Sequence, residues 1–193
     1  MSKIKIAIIT GSTRPGRVNL DVANWVLSRA KDRTDADYEL VDIATYDLPL
    51  LDEPGRAFTN SYSHEHTKAW SAKIIGFDGF IFVTPEYNHS ISGALKNAID
   101  FLYNEWKNKA AGFVSYGGGS CGARAVEHLR LVLAELSVAT VRGQVLLSLF
   151  TDFEGFKTFK PMAIRETDLV ATFDQVESWA KAMQTVRFVS KTQ

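Results

Sequence analysis

Three polar, glycine-bearing stretches hold the residues best suited to chemistry: GSTRPGRVN at 11–19, PEYNHS at 85–90 and YGGGS at 116–120. The first follows an apolar, mostly β-branched run (Ile4, Ile6, Ala7, Ile8, Ile9) and precedes a helical pattern. It offers the hydroxyls of Ser12 and Thr13, the guanidinium groups of Arg14 and Arg17, the turn residues Gly11, Pro15 and Gly16, and Val18 and Asn19 at a helix start. A helix N-terminus has unpaired N–H groups and partial positive charge, so it suits an anion. Arginine adds a planar fork of donors that matches phosphate oxygens. The chemistry expected here is phosphate binding. The spacing is neither G-x-G-x-x-G nor a Walker loop, because Arg17 and Val18 stand where Lys and Ser/Thr would follow Gly16. An ordinary nicotinamide Rossmann site and an ATPase site are therefore both disfavoured.

The second stretch presents Tyr87 as an aromatic wall and Asn88 as donor and acceptor, with Pro85 and Glu86 before them. The third exposes successive backbone N–H groups at Gly117, Gly118 and Gly119, where the lack of side chains allows close approach of a ring. Together they suit a flat heteroaromatic ligand with carbonyls and ring nitrogens. Two other features read more plainly. His64 and His66 lie two apart, would point to different sides of a helix and so suit an exposed polar face rather than a metal. Cys121 near a helix start has the position of a redox thiol, but a small residue opening a packed helix is the favoured reading. No metal site is expected.

The elements that must position these loops follow from periodicity. Strands are expected at the first apolar run, at Tyr38–Ile43, at Phe77–Thr84, which is the most apolar and hence central, at Ala110–Tyr116 and at Ala139–Leu147. Helices are expected over residues 18–30, 60–75, Gly93–Trp106, 122–136 and Asp168–Thr185. Asp47–Gly55 reads as loop, and Phe150–Pro161 as irregular and aromatic. The repeated βα pattern predicts an α/β fold, a three-layer sandwich around a five-stranded parallel sheet. Five strands favour the flavodoxin-like order 2-1-3-4-5, in which ligands bind outside the carboxyl ends of strands one and three. All three loops then converge on one crevice. A phosphate at the first and a ring between the other two describes a mononucleotide, for which FMN is the candidate in this fold.

Composition sets outer bounds. The 193 residues predict a single domain over 1–193. Lys plus Arg equals Asp plus Glu at 22 each, so charge gives no argument for nucleic acid or an anionic membrane, and neutrality fits self-association. One cysteine excludes an internal disulfide and fits a reducing compartment. With no signal-peptide pattern at the N-terminus and no apolar run of membrane-spanning length, the expected location is the cytoplasm.

The same residues also resemble a known family, the NAD(P)H-dependent FMN reductases of the flavodoxin-like superfamily, which includes quinone, chromate and azo-dye reductases. GSTRPGRVN resembles its phosphate loop, PEYNHSISGALKNAIDF its signature after strand three, and SYGGGSCGARAVEHLRLVLAEL its fourth loop and helix. The likeness runs from about Lys3 to Leu147. It implies FMN as cofactor, NADPH or NADH as hydride donor, a small electron acceptor such as a quinone, and a homodimer or homotetramer. Ser12, Arg14, Arg17 and Asn19, with Val18 beside them, would hold the phosphate. Pro85, Glu86, Tyr87 and Asn88 would flank the flavin ring, and Ser115 and Gly117 to Gly119 its other edge. Two positions depart from the pattern. Ser92 stands where proline is common and suits a helix cap. Arg17 stands where serine is common and suits either the phosphate or the dinucleotide. No catalytic acid or base is expected, since flavin carries the chemistry. The runner-up reading is a flavodoxin-like FMN electron carrier without a nicotinamide site, although such carriers are usually strongly acidic. Phe101, Leu102, Tyr103 and Trp106 look surplus to an outward helix, which predicts a two-fold interface there.

Overall fold

Strand β1 (Ile4–Thr10) forms because its run of branched apolar residues is buried on both faces, with only Lys5 exposed. β3 (Gly79–Pro85) and β4 (Ala110–Gly117) are buried at every position, as central strands must be. β2 (Ala36–Val41) and β5 (Ala139–Ser148) alternate with exposed or half-buried residues and lie at the edges. The order in the computed structural model, which describes residues 3–189, is β2-β1-β3-β4-β5, with every pair parallel. This is the flavodoxin-like order expected from the sequence.

Side chains alternate between two apolar layers. Ile6, Ile8, Ile81 and Val83 face α1 (Asn19–Ala30) and α5 (Ile164–Val189). Ile9, Phe80, Phe82 and Phe113 face α2 (Glu65–Ile75), α3 (Gly93–Asp100) and α4 (Ala123–Glu135). The connection through α1 thus covers one face and those through α2, α3 and α4 the other, and the chain reverses direction across the sheet between β1 and β3.

Some boundaries differ from those expected, for identifiable reasons. Ile43–Tyr46 is a 3-10 turn rather than the end of a strand. α2 starts at Glu65 because Glu53 accepts the N–H groups of Ser63 (2.8 Å) and His64 (3.0 Å) just before it. His64 therefore lies outside the helix. Instead of diverging, its ring stacks on that of His66 at 5.2 Å, and both approach Asp52. α3 ends at Asp100, not Trp106. The indole N–H groups of Trp70 and Trp106 donate to the carbonyls of Ala98 (2.7 Å) and Ile99 (3.1 Å), taking acceptors that further helix would need. The chain then turns and buries Phe101, Leu102 and Trp106 in the core. The apolar surface expected there is therefore absent, and these residues provide no two-fold interface. Residues 150–161 contain a small antiparallel pair, β6 (Phe153–Glu154) with β7 (Thr158–Phe159).

α5 sits so close to β4 that only glycine fits at 112. A Cβ there would lie 2.6 Å from Val176 Cγ2 and 2.9 Å from Thr172 Cγ2, both on stiff β-branched side chains. Gly112→Ala should destabilise the fold by about 1–3 kcal/mol. Thermal denaturation checks this, at about 2–4 °C per kcal/mol for a chain of this size, and an unchanged Tm would refute the packing argument.

Candidate functional site

The first loop is fixed where β1 and β3 part. Gly11 N–H donates to Val83 O at 2.7 Å, and a Cβ on Gly11 would stand 2.8 Å from that same oxygen. Asn19, at the start of α1, is fully buried. Its Oδ1 accepts from Gly11 N–H (3.1 Å) and its Nδ2 donates to Val83 O (2.9 Å). Asn19 therefore holds the loop rather than standing free beside it. Ser92 caps α3 by accepting from Leu95 N–H (3.0 Å), as expected, and its hydroxyl donates to Gly11 O (2.5 Å). Among the described residues no side chain caps α1, whose N-terminal flank is Val18. Its first N–H groups thus have the arrangement that suits an anion.

The two arginines differ. Arg14 is exposed. Arg17 is drawn onto Asp42 at the end of β2, Nη2 to Oδ2 at 2.5 Å, with the two side chains 17% and 15% exposed. The other Asp42 oxygen accepts from Thr10 Oγ1 (2.8 Å) and Ala44 N–H (3.1 Å). Arg17 Nε is buried and has no hydrogen-bond partner among the described residues. The left-handed Gly16 (φ 69°) lets the chain turn back between the two arginines. Sequence reasoning did not find Asp42 or Thr10, since nothing local marks a carboxylate that meets an arginine 25 positions away.

The second loop opens with the buried Pro85 and closes as a two-residue turn. Tyr87 and Ser90 exchange N–H···O bonds of 2.9 and 3.1 Å. Asn88 (φ 49°) and His89 (φ 76°) between them are left-handed, a conformation asparagine tolerates well. Tyr87 is 37% exposed, and its hydroxyl lies 3.0 Å from that of the buried Ser12. Glu86 is turned inward, 5% exposed at its side chain, and takes Ser120 Oγ (2.6 Å) and Arg124 Nε (2.7 Å). Burial raises the Glu86 pKa, but the Arg124 and Ser120 contacts outweigh this and hold it below the usual value.

In the third loop Ser115 is also buried, donating to Cys121 O (2.9 Å) and accepting from Gln144 Nε2 (3.1 Å). Gly122 must be glycine. Its φ is +83°, and a Cβ would stand 2.7 Å from Ser115 Cβ. Gly119 is exposed, and among the described residues nothing lies within 4 Å of where its Cβ would be. Tyr116, just before the glycines, lies beneath the crevice, and burial pushes its phenol up.

The three loops form one continuous rim, joined by Ser12–Tyr87 and by Glu86–Ser120. Arg14, Tyr87, Asn88 and Gly119 face solvent, whereas Asn19, Glu86 and Ser115 are engaged within the protein. A phosphate fits the donors of the first loop, Arg17 Nε included, and a flat ring fits the open glycine loop beside Tyr87.

Comparison with known proteins agrees with this chemistry. The family model described as NADPH-dependent FMN reductase matches residues 4–152. An NAD(P)H-dependent FMN reductase of Nectria sp is 37% identical over 187 residues, covering 92% of this chain and 88% of that protein. One from Schizosaccharomyces pombe is 46% identical over 125 residues, which make up 62% of each chain. Among solved structures, FerB from Paracoccus denitrificans, a flavoenzyme NAD(P)H:(acceptor) oxidoreductase, superposes with a TM-score of 0.72 at 21% identity. That alignment spans 93% of this chain and 98% of FerB and bears on the fold alone.

Because its folded-state pKa is depressed, Glu86 stabilises the rim fully above the ordinary carboxylate pKa and loses that effect as pH falls through the lowered one. Glu86→Gln should cost roughly 1–3 kcal/mol at pH 7, with the Tm gap to wild type closing as pH falls below about 5. A gap independent of pH would show that the carboxylate charge is not what holds the rim.

Proposed function

This chain belongs to the NADPH-dependent FMN reductase family, and we propose that it uses NADPH or NADH to reduce bound FMN and passes the electrons to a quinone or similar small acceptor. The observation that supports this most strongly is the rim itself, which pairs an anion-suited loop with an open glycine loop and an exposed tyrosine at the switch point of a flavodoxin-like sheet. Relatives named as quinone reductases point to the acceptor class. Among them is an NAD(P)H:quinone oxidoreductase of Solanum tuberosum, 41% identical over 133 residues.

When bound, FMN supplies the hydride and electron chemistry. The chain's own residues bind and orient. The N-terminus of α1, with Ser12, Arg14 and Arg17, would take the phosphate. Pro85 to Asn88 and Gly117 to Gly119 would flank the ring, with Glu86 and Ser115 shaping the loops and Asn19 holding the first loop closed. No side chain is assigned as a catalytic acid or base. A homodimer or homotetramer in the cytoplasm remains our reading, supported by zero net charge and a single cysteine rather than by residues 101–106.

The test is anaerobic mixing of the purified, FMN-loaded protein with NADPH or NADH. The yellow flavin absorbance should bleach and return on addition of a quinone. Persistence of the colour with either nucleotide would refute the reading. Arg14→Ala should weaken FMN by roughly 1.5–3 kcal/mol through loss of a charge-assisted contact. Titration of apoprotein should then show riboflavin binding little changed, and an equal loss for riboflavin would overturn the phosphate role.

A further inference from the structure

The segment between β5 and α5 holds two phenylalanine rings out in water. Phe150 is 65% exposed and Phe156 57%, and their rings meet edge to face at 5.6 Å. The segment beneath them is firmly built. The fully buried carboxylate of Asp152 accepts from Ser148 N–H (2.9 Å) and Met162 N–H (3.0 Å) and pairs with Arg165 (3.2 Å). The neighbouring rings of Phe153 and Phe159 turn inward and pack together at 5.1 Å. The phenylalanines of this segment are therefore divided: Phe153 lies in the core, Phe159 is half-buried against it, and Phe150 and Phe156 lie outside.

Phe156 is in addition strained. It follows Gly155 in the tight turn closed by Lys157 N–H to Glu154 O (3.1 Å), and both turn residues are left-handed, at φ 57° and 60°. Glycine or asparagine suits such a position, and a bulky aromatic does not. Strain at an exposed ring that adds nothing to the core points to a use for the ring.

The location indicates that use. Leu149 N–H donates to Gly117 O at 2.9 Å, and Phe150 Cε2 lies 3.8 Å from where a Cβ on Gly118 would stand. The ring pair thus abuts the glycine loop. We propose that Phe150 and Phe156 form an aromatic wall that receives the flat ring of the electron acceptor, a quinone, beside the flavin site. This rests on the flavin-reductase reading above. The quinone gains two electrons and two protons from reduced FMN and leaves as the hydroquinone, and FMN returns to its oxidised form. Offset or edge-on contact with aromatic rings favours such a ring over a compact inorganic acceptor.

The test compares FMN-loaded wild type with Phe150→Ser and Phe156→Asn. Naphthoquinone and ferricyanide serve as acceptors, and naphthalene-2-sulfonate, which accepts no electrons, as a calorimetric probe of the oxidised protein. Each variant should raise the naphthoquinone KM and weaken the sulfonate by about three- to tenfold, in line with the loss of one or two aromatic contacts. The KM for ferricyanide should stay within about twofold, a shift worth only ~0.4 kcal/mol. Phe156→Asn should at the same time raise the Tm, because it relieves the turn. Equal changes for both acceptors, a raised Tm with undiminished ring binding, or a smaller assembly by light scattering in the variants would overturn the proposal. The last result would make the pair a subunit contact. Failure of the wild type to bleach with NAD(P)H would instead refute the flavin reading, while the calorimetric comparison would still decide whether the wall takes a flat ring.

Discussion

The buried side-chain amide of Asn19 is the contact on which the carboxyl edge of the sheet depends. β1 and β3 are neighbours, but α1 leaves toward one apolar layer and α3 toward the other. The backbones must separate at that point, and the bond from Gly11 N–H to Val83 O is the last that joins them. Asn19 braces that last bond, giving Gly11 N–H a second acceptor and Val83 O a second donor. An ionised carboxylate could not serve both ends, because it only accepts and the joint needs a donor as well as an acceptor. The missing side chain at position 11 and the hydroxyl of Ser92 on Gly11 O complete the same joint.

A rigid seam frees the outer residues from structural duty. Glu86 with Ser120 and Arg124 joins the second loop to the third, and Ser115 braces the third from below. The outward-facing residues include Thr13, Arg14, Tyr87, Asn88 and Gly119, with Gly118 half-buried. Such a set can hold a cofactor tightly only if little ordering is left to do on binding. The turn at Asn88 and His89 and the glycine requirement at 122 both act in that direction, because each locks backbone that would otherwise have to order around a ligand.

The fold was legible in the sequence because strands buried on both faces leave long apolar runs, as in FDGFIFVT, and the loops that follow them are polar. The candidate site was legible as three loops that the fold brings together, but not as individual duties. Asn19, Glu86 and Ser115 have the residue types of ligand-binding groups, and only the fold reveals that their polar atoms are used internally. Residues 101–106 misled for a related reason. Apolar spacing there fits an outward helix, but two indole N–H groups stop α3 and turn Phe101 and Trp106 inward. Periodicity carries no record of a donor arriving from residue 70. The Arg17–Asp42 pair and the tight turn at Phe156 were hidden likewise, one by distance along the chain and the other because left-handed backbone at phenylalanine has no sequence signal.

Arg17 and Asp42 also bear on how a chain with zero net charge could present the proposed anion site. A largely buried ion pair contributes little net stability, since desolvation offsets much of its attraction. Its value here is positional. Asp42 fixes one end of the guanidinium, along with Thr10 and Ala44, and leaves Nε buried without a partner among the described residues. An exposed arginine loses up to about 2 kcal/mol of rotamer freedom when a ligand immobilises it. Arg14 is subject to that loss, whereas Arg17 gave up its freedom on folding. The two arginines are therefore not duplicates. At the proposed site Arg14 carries the charge that Asp42 does not cancel and would attract the phosphate, and Arg17 would offer it a preset direction. Attraction by one uncancelled charge at one helix terminus would need no excess of basic over acidic residues in the chain.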